Sequence, residues 1–248
     1  MSIDDDRDLA GLQAAGRVVH ATLEAMRAAV APGVTTGRLD AIAGEVLRAH
    51  GARSAPRLVY DFPGETCISV NDEIVHGVPS LRRVLADGDL VTLDVTVEKH
   101  GYMADAAVTC EVGRVSRRAH RLAACAEAAF RRALREVRPG RRVCDVGGVV
   151  ESEVRRRGFA VVRALTGHGI GRTIHEDPMV PNWFDPSARD WLTEGLVITV
   201  EPIIAMGSGE SYEDRDGWTI RTADGSLAAH FEHTLVVTKG EPLLLTAA

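Results

Sequence analysis

Two aspartates each interrupt an alternating apolar run. In Leu90-Val91-Thr92-Leu93-Asp94-Val95-Thr96-Val97, one strand face carries the valines and Leu93, and the other carries Thr92, Asp94 and Thr96. A turn centred on Lys99-His100 returns the next run, from Met103, antiparallel and sets Asp94 opposite Asp105. In that register Val95 meets Ala104, Leu93 meets Ala106 and Val91 meets Val108. Carboxylates with Cβ atoms about 4.5–5.5 Å apart repel unless a proton or cation lies between them. The pair reads either as a cation site or as two acids on the wet face of a one-sided sheet. Glu201, at the end of Val197-Ile198-Thr199-Val200, and Glu232, in Phe231–Val237, add two strand-borne acids beside apolar runs. Together the four carboxylates carry −4, which two divalent cations neutralise. Imidazole candidates are His168, in Gly167-His168-Gly169-Ile170-Gly171-Arg172, and His175, seven residues further on. Those glycines allow close backbone approach. As a phosphate cradle the loop fails, lacking both the Lys-Ser/Thr pair and dinucleotide spacing. His76, taken alone, reads as a structural histidine.

The elements that must hold these residues are legible from pattern. The chain has 248 residues, 45% hydrophobic and 26% charged, with net charge −6, a profile that excludes disorder, collagen and coiled coil. No apolar run approaches the roughly 18 residues of a membrane span, and the first residues are acidic where a signal peptide is basic. The expectation is a cytoplasmic protein without membrane contact. Cys67, Cys110, Cys125 and Cys144 form no C-x-x-C pair, so neither a disulfide framework nor a thiolate zinc site is indicated. Leu12, Ala15, Val19, Leu23, Met26 and Val30 step as one buried helical face, and so do Ala119, Leu122, Ala126, Phe130, Ala133 and Val137. Each stretch stops at Pro-Gly, and Pro139 lies 107 positions after Pro32, with Gly51 and Gly158 at the same offset. Strands are expected at 67–70, 90–97, 103–111, 160–164, 196–201, 218–222 and 231–237. The reading is α+β: a single domain of two pseudo-symmetric halves, about 10–112 and 116–240, whose helices cover a mainly antiparallel sheet.

Together these residues resemble type I methionine aminopeptidases, of the creatinase/aminopeptidase "pita-bread" fold. The likeness runs through Pro32–Gly37, Cys67–Asn71, His76-Gly77, Gly88-Asp89, Asp94, Asp105, Gly167–Arg172, His175-Glu176, Thr199–Pro202, Asp216–Thr219 and Glu232–Thr234. It implies Asp94, Asp105, His168, Glu201 and Glu232 as ligands of two divalent ions, Co, Mn, Fe or Zn, with Asp105 and Glu232 bridging. A water bridging the metals then attacks the first peptide bond of proteins and peptides that begin with methionine, nascent chains included. Glu201 helps move the proton, and His76 and His175 contact the substrate. Phe62, Cys67 and Trp218 match pocket positions, with Val59 and Ile174 where aromatic residues are common. The sequence departs from the family at Ala104-Asp105-Ala106-Ala107, where a glycine before the aspartate and hydroxyl residues after it are usual.

Other readings stay open on the sequence. Xaa-Pro peptidases share the fold but carry a further amino-terminal domain, and the 26 residues from His175 to Glu201 leave no room for the long insertion of type II enzymes. A low-activity or non-catalytic binding copy is the alternative of another class. Between Arg117 and Arg157 twelve arginines face five acids, either a surface for ribosomal RNA or two solvated helix faces. The protein is expected to be a monomer.

Overall fold

The computed structural model describes residues 1–247. Asp5 opens helix α1 (Asp6–Ala29) by accepting from the Arg7 and Asp8 amides at 2.8 and 2.9 Å, donors that the first turn leaves free. The buried face of α1 includes Leu12, Ala15, Val19, Leu23 and Met26, the stepping read from the sequence. Helix α2 is Thr36–Ala49, and a short α3 spans Ala55–Tyr60. Ser116 caps α4 (Arg117–Ala133) through the Ala119 amide at 3.1 Å, and α5 is Val143–Arg156. Both ends of α5 lie 107 residues after the ends of α2. The flanking glycines correspond too: Gly33 and Gly140 precede these helices at φ 90° and 84°, and Gly51 and Gly158 follow them at 59° and 81°. A side chain is strained at such angles, so each glycine pair marks the same backbone turn in both helix pairs.

The long sheet runs in the order Arg53–Ser54, Leu90–Lys99, Tyr102–Glu111, Ala228–Val236, Val197–Val200, Gly167–Gly169, Glu176–Val180, with every pairing antiparallel. Odd-numbered residues of the first long strand (Val91, Leu93, Val95, Val97) and even-numbered ones of its hairpin partner (Ala104, Ala106) pack under α1 and α2 against Val19, Met26 and Leu39. Ile198, Val200, Ala229 and Leu235 pack likewise under α4 and α5 against Leu122, Phe130, Val146 and Val150. Each such Leu, Ile or Val stabilises the fold by about 1.5–3 kcal/mol. The opposite sheet face is thereby left free of these four helices, with only the short α3 at its edge.

The central hairpin corrects the expected register. Its loop is His100-Gly101, with φ 54° and 82°, and Lys99 pairs with Tyr102. A two-residue turn of this kind needs positive φ at both central residues, which Gly101 supplies and Lys99 resists. The pairing is therefore shifted by two: Asp94 faces Ala107, and Asp105 faces Thr96. A shift of two preserves the face, so both aspartates still point to the helix-free side, as diagonal rather than direct neighbours.

Candidate active site

Two cross-strand rows on the helix-free face hold the acids. One reads Asp94, Ala107, Glu232; the other sets Thr96 opposite Asp105 and Thr234 opposite Thr199. Thr234 Oγ1 joins the members of the second row, accepting from the Asp105 amide and donating to the Asp105 carbonyl, both at 2.8 Å. Glu201 follows the last residue of its strand, where Pro202 interrupts pairing, and Thr199 donates to its Oε1 at 2.7 Å. Asp105, His168, Glu201 and Glu232 are buried and Asp94 partly so.

His168 sits in the glycine loop, whose Gly169 has no room for a Cβ: one placed there would lie 2.2 Å from the Asp177 carbonyl oxygen. Its Nδ1 donates to the Gly169 carbonyl at 2.8 Å, which directs Nε2 to within 3.5 Å of Glu201 Oε1. An imidazole so oriented presents a lone pair to a cation. The loop is braced from behind by Arg172, which donates to Asp8 of α1 at 2.7 Å and to the Tyr102 hydroxyl at 2.8 Å. One ligand atom each from Asp105, His168 and Glu232 lies within 4.8 Å of the others, and the same holds for Glu201, His230 and Glu232.

Burial holds all four acids above their ordinary pKa, Asp105 at about 6 and Asp94, Glu201 and Glu232 well above the usual carboxylate range. Mutual repulsion adds to this for Asp94, Glu201 and Glu232, while hydrogen bonds restrain the rise at Asp105. Burial pushes His168 down to about 4. Asp105 Oδ1 and Glu232 Oε1 are buried with no hydrogen-bond partner among the described residues. A cluster of acids and a neutral imidazole, with orphaned oxygens turned inward, fits divalent cations with oxygen-rich coordination.

A pH dependence follows. Burial leaves His168 neutral above about 4, whereas the raised carboxyls keep their protons to higher pH than the unfolded chain does. A raised pKa stabilises the fold at low pH and loses that contribution as pH climbs through it. EDTA-treated protein is therefore expected to melt lower at pH 8 than at pH 7, while the Tm gap to metal-loaded protein widens. A gap that stays constant contradicts the buried-acid picture.

Beside the acids lies a slot lined by Pro56, Tyr60, Phe62, Cys67, Ile174 and Trp218, with His76 and His175 at its edge. Phe62 and Trp218 meet edge to face, centroids 5.2 Å apart. Trp218 is set by a turn in which Asp216 accepts from its amide at 2.9 Å, so the strand expected from Trp218 begins only at Ile220. Of the residues expected in the slot, Val59 is absent: it is 42% exposed on α3, and the slot is walled by the next residue, Tyr60. Successive helix residues diverge by about 100°, so only one of the two can face inward. Tyr60 Oη lies 2.6 Å from His175 Nδ1, a contact not anticipated from sequence. His76 has φ 58°, rare outside glycine and held here against about 1–3 kcal/mol of strain. Burial of its ring beside the acids and nearby His175 lower its pKa, although the residue as a whole is exposed. His230 was also missed.

Comparison with known proteins places the chain. The model for metallopeptidase family M24 matches residues 10–239. "Methionine aminopeptidase 2" of Bacillus subtilis is 44% identical over 247 residues, 99% of each chain. Crystal structures of methionine aminopeptidases from Thermotoga maritima (33% identity, TM-score 0.97) and Rickettsia prowazekii (36%, 0.94) each cover 100% of both chains. With its acids and His168 gathered on the helix-free face of an α+β pita-bread fold, the chain belongs to metallopeptidase family M24.

Proposed function

We propose that this protein is a metal-dependent methionine aminopeptidase, one catalytic domain of two pseudo-symmetric halves that removes the first residue from chains beginning with methionine. The observation that carries this is the junction of two unlike surfaces: a buried acid–imidazole cluster that shares His76, Asp94, Asp105 and His175 with a mainly apolar slot. Asp94, Asp105, His168, Glu201 and Glu232 hold the metal, two ions being the number that balances four carboxylates. Held by these residues, divalent ions would supply Lewis-acid polarisation of the scissile carbonyl and an activated water at neutral pH.

The chain's own groups do the rest. Phe62, Cys67, Ile174 and Trp218 take the methionine side chain and exclude water from it. Glu201, fixed by the Thr199 hydroxyl, accepts the proton of the attacking water and passes it to the departing amine. Tyr60 donates to His175 Nδ1, which leaves a proton on Nε2 for the developing oxyanion. His76 hydrogen-bonds to the scissile nitrogen, which can accept only as it turns pyramidal in the transition state. No helix in the described residues is long and apolar enough to cross a membrane. The reading includes action on nascent chains in the cytoplasm, as a monomer.

Metal-stripped protein is expected to release free methionine from a Met-Ala-Ser peptide when Mn, Co, Fe or Zn is restored, and to leave Ala-Pro-Ala intact. Cleavage of the proline peptide alone overturns the assignment in favour of an Xaa-Pro enzyme, and no turnover despite bound metal favours a binding copy.

The arginine-rich α4–α5 region is the proposed contact with ribosomal RNA. Part of its charge is neutralised within the fold, since Glu153 alone pairs with Arg132, Arg156 and Arg157. Co-pelleting with ribosomes should fall steeply as salt rises, and pelleting that ignores salt removes this contact.

A further inference from the structure

We propose that His230 is a metal ligand of this protein, giving the centre a second imidazole through its Nε2. The inference rests on the metal-holding reading above and concerns which atoms complete it. His230 lies two residues before Glu232 on the same strand, so both side chains point to the same sheet face. It is 2% exposed, and neither ring nitrogen has a hydrogen-bond partner among the described residues. Buried imidazoles are ordinarily satisfied at one nitrogen at least, so a ring with both free is an anomaly that needs an account. Nε2 lies 3.4 Å from Glu232 Oε2 and 3.8 Å from Glu201 Oε2. One ligand atom from each of the three residues falls within 4.8 Å of the others, as it does for Asp105, His168 and Glu232. Glu232 belongs to both triads. The two groups thus flank one carboxylate, each with its own imidazole.

The surroundings explain why the position falls to a histidine. Ala107 occupies the row between Asp94 and Glu232, and Ala106 follows Asp105, so neither residue after that aspartate offers a hydroxyl to the acids. Glu232 Oε1 is left without a partner. An imidazole at position 230 supplies a neutral donor beside Glu232 without adding a fifth negative charge. It also shifts the chemistry of the centre, because nitrogen donors favour zinc, cobalt, nickel and copper over manganese more than oxygen donors do.

The test measures metal rather than turnover. Cobalt(II) and manganese(II) affinities are determined by chelator competition for wild type and His230→Gln, with the visible cobalt spectrum recorded at saturation. The expected result is a loss of at least about tenfold in cobalt affinity, a smaller loss for manganese, and an altered cobalt spectrum, while His168→Gln behaves alike. In wild-type protein carrying 15N-labelled histidine, zinc should displace two imidazole nitrogens to coordinated positions, a readout independent of whether either variant folds. Unchanged cobalt affinity and spectrum in folded His230→Gln, or one displaced imidazole in wild type, overturns the assignment and leaves the metallopeptidase reading intact, with His230 merely hydrogen-bonded to Glu232. Wild-type protein that binds no cobalt and releases no methionine overturns both.

Discussion

Glu232→Gln is expected to lower affinity for divalent cobalt or manganese by about 10²–10³-fold, and methionine release with it, while raising the melting temperature of metal-free protein at pH 8. The first half follows from position. Glu232 is the residue common to both groups of ligand atoms, and it is 2% exposed, so a cation near it gains nothing from solvent when the charge is removed. Taking one partner from a buried charge cluster costs about 3–5 kcal/mol, and each 1.4 kcal/mol is a factor of ten in affinity. The second half has the opposite sign. Without metal, Glu232 is held above its ordinary pKa by burial and then by Asp105, Glu201 and Asp94, so ionising it at pH 8 works against the fold. Glutamine keeps the shape and cannot ionise. Each 1 kcal/mol relieved is worth roughly 2–4 °C in a chain of this size. Chelator competition gives the affinity, and melting curves with EDTA and with metal give the crossover. Unchanged affinity, or a metal-free variant that melts lower than wild type, contradicts the role given to Glu232.

How far the sequence carries depends on whether a residue's face is set by local periodicity or by a partner's register. The helix stripes of α1 and α4 and the recurrence of α2 in α5 need only local stepping, and both were legible. That Asp94 and Asp105 share a face was legible too, because an error of two in pairing does not change which side a residue occupies. Their direct opposition was not. It hinged on where the hairpin turned, and the glycine that tolerates positive φ is Gly101, one position beyond the assumed centre. His230 was missed although the same rule of alternation reaches it from Glu232. The strand was read as starting at Phe231, whereas pairing begins at Ala228, with Ile203 opposite His230. Tyr60 was hidden for another reason: on a six-residue helix no stripe exists to tell its inward side from that of Val59. The contact of Tyr60 with His175 joins residues 115 positions apart, which no local pattern encodes.

That contact underlies the other large expected effect, a fall of about 10²–10³ in kcat for His175→Ala with metal affinity retained. His175 lies on the exposed side of the centre, with its ring centroid 4.4 Å from that of His168, and it belongs to neither group of ligand atoms. Removing it leaves the oxygen donors and His168 Nε2 in place, since His168 is held by its own Nδ1 bond to Gly169. Burial keeps the His175 pKa below its ordinary value, so the ring is neutral at pH 7 and only its tautomer decides whether it can donate. The proposed tautomer, in which Tyr60 donates across its 2.6 Å contact with Nδ1, keeps the proton on Nε2 for an oxygen that gains charge as the peptide bond is attacked. A donor aimed at developing charge contributes to the transition state more than to the bound substrate, so kcat should fall and KM change little. Tyr60→Phe should lower kcat in the same direction but less, because the ring remains and only the preference between its tautomers is lost. Steady-state kinetics on Met-Ala-Ser, run beside cobalt titrations of each variant, separate the possibilities. Loss of metal in His175→Ala makes the residue part of the cation site, and full kcat with metal bound removes it from the reaction.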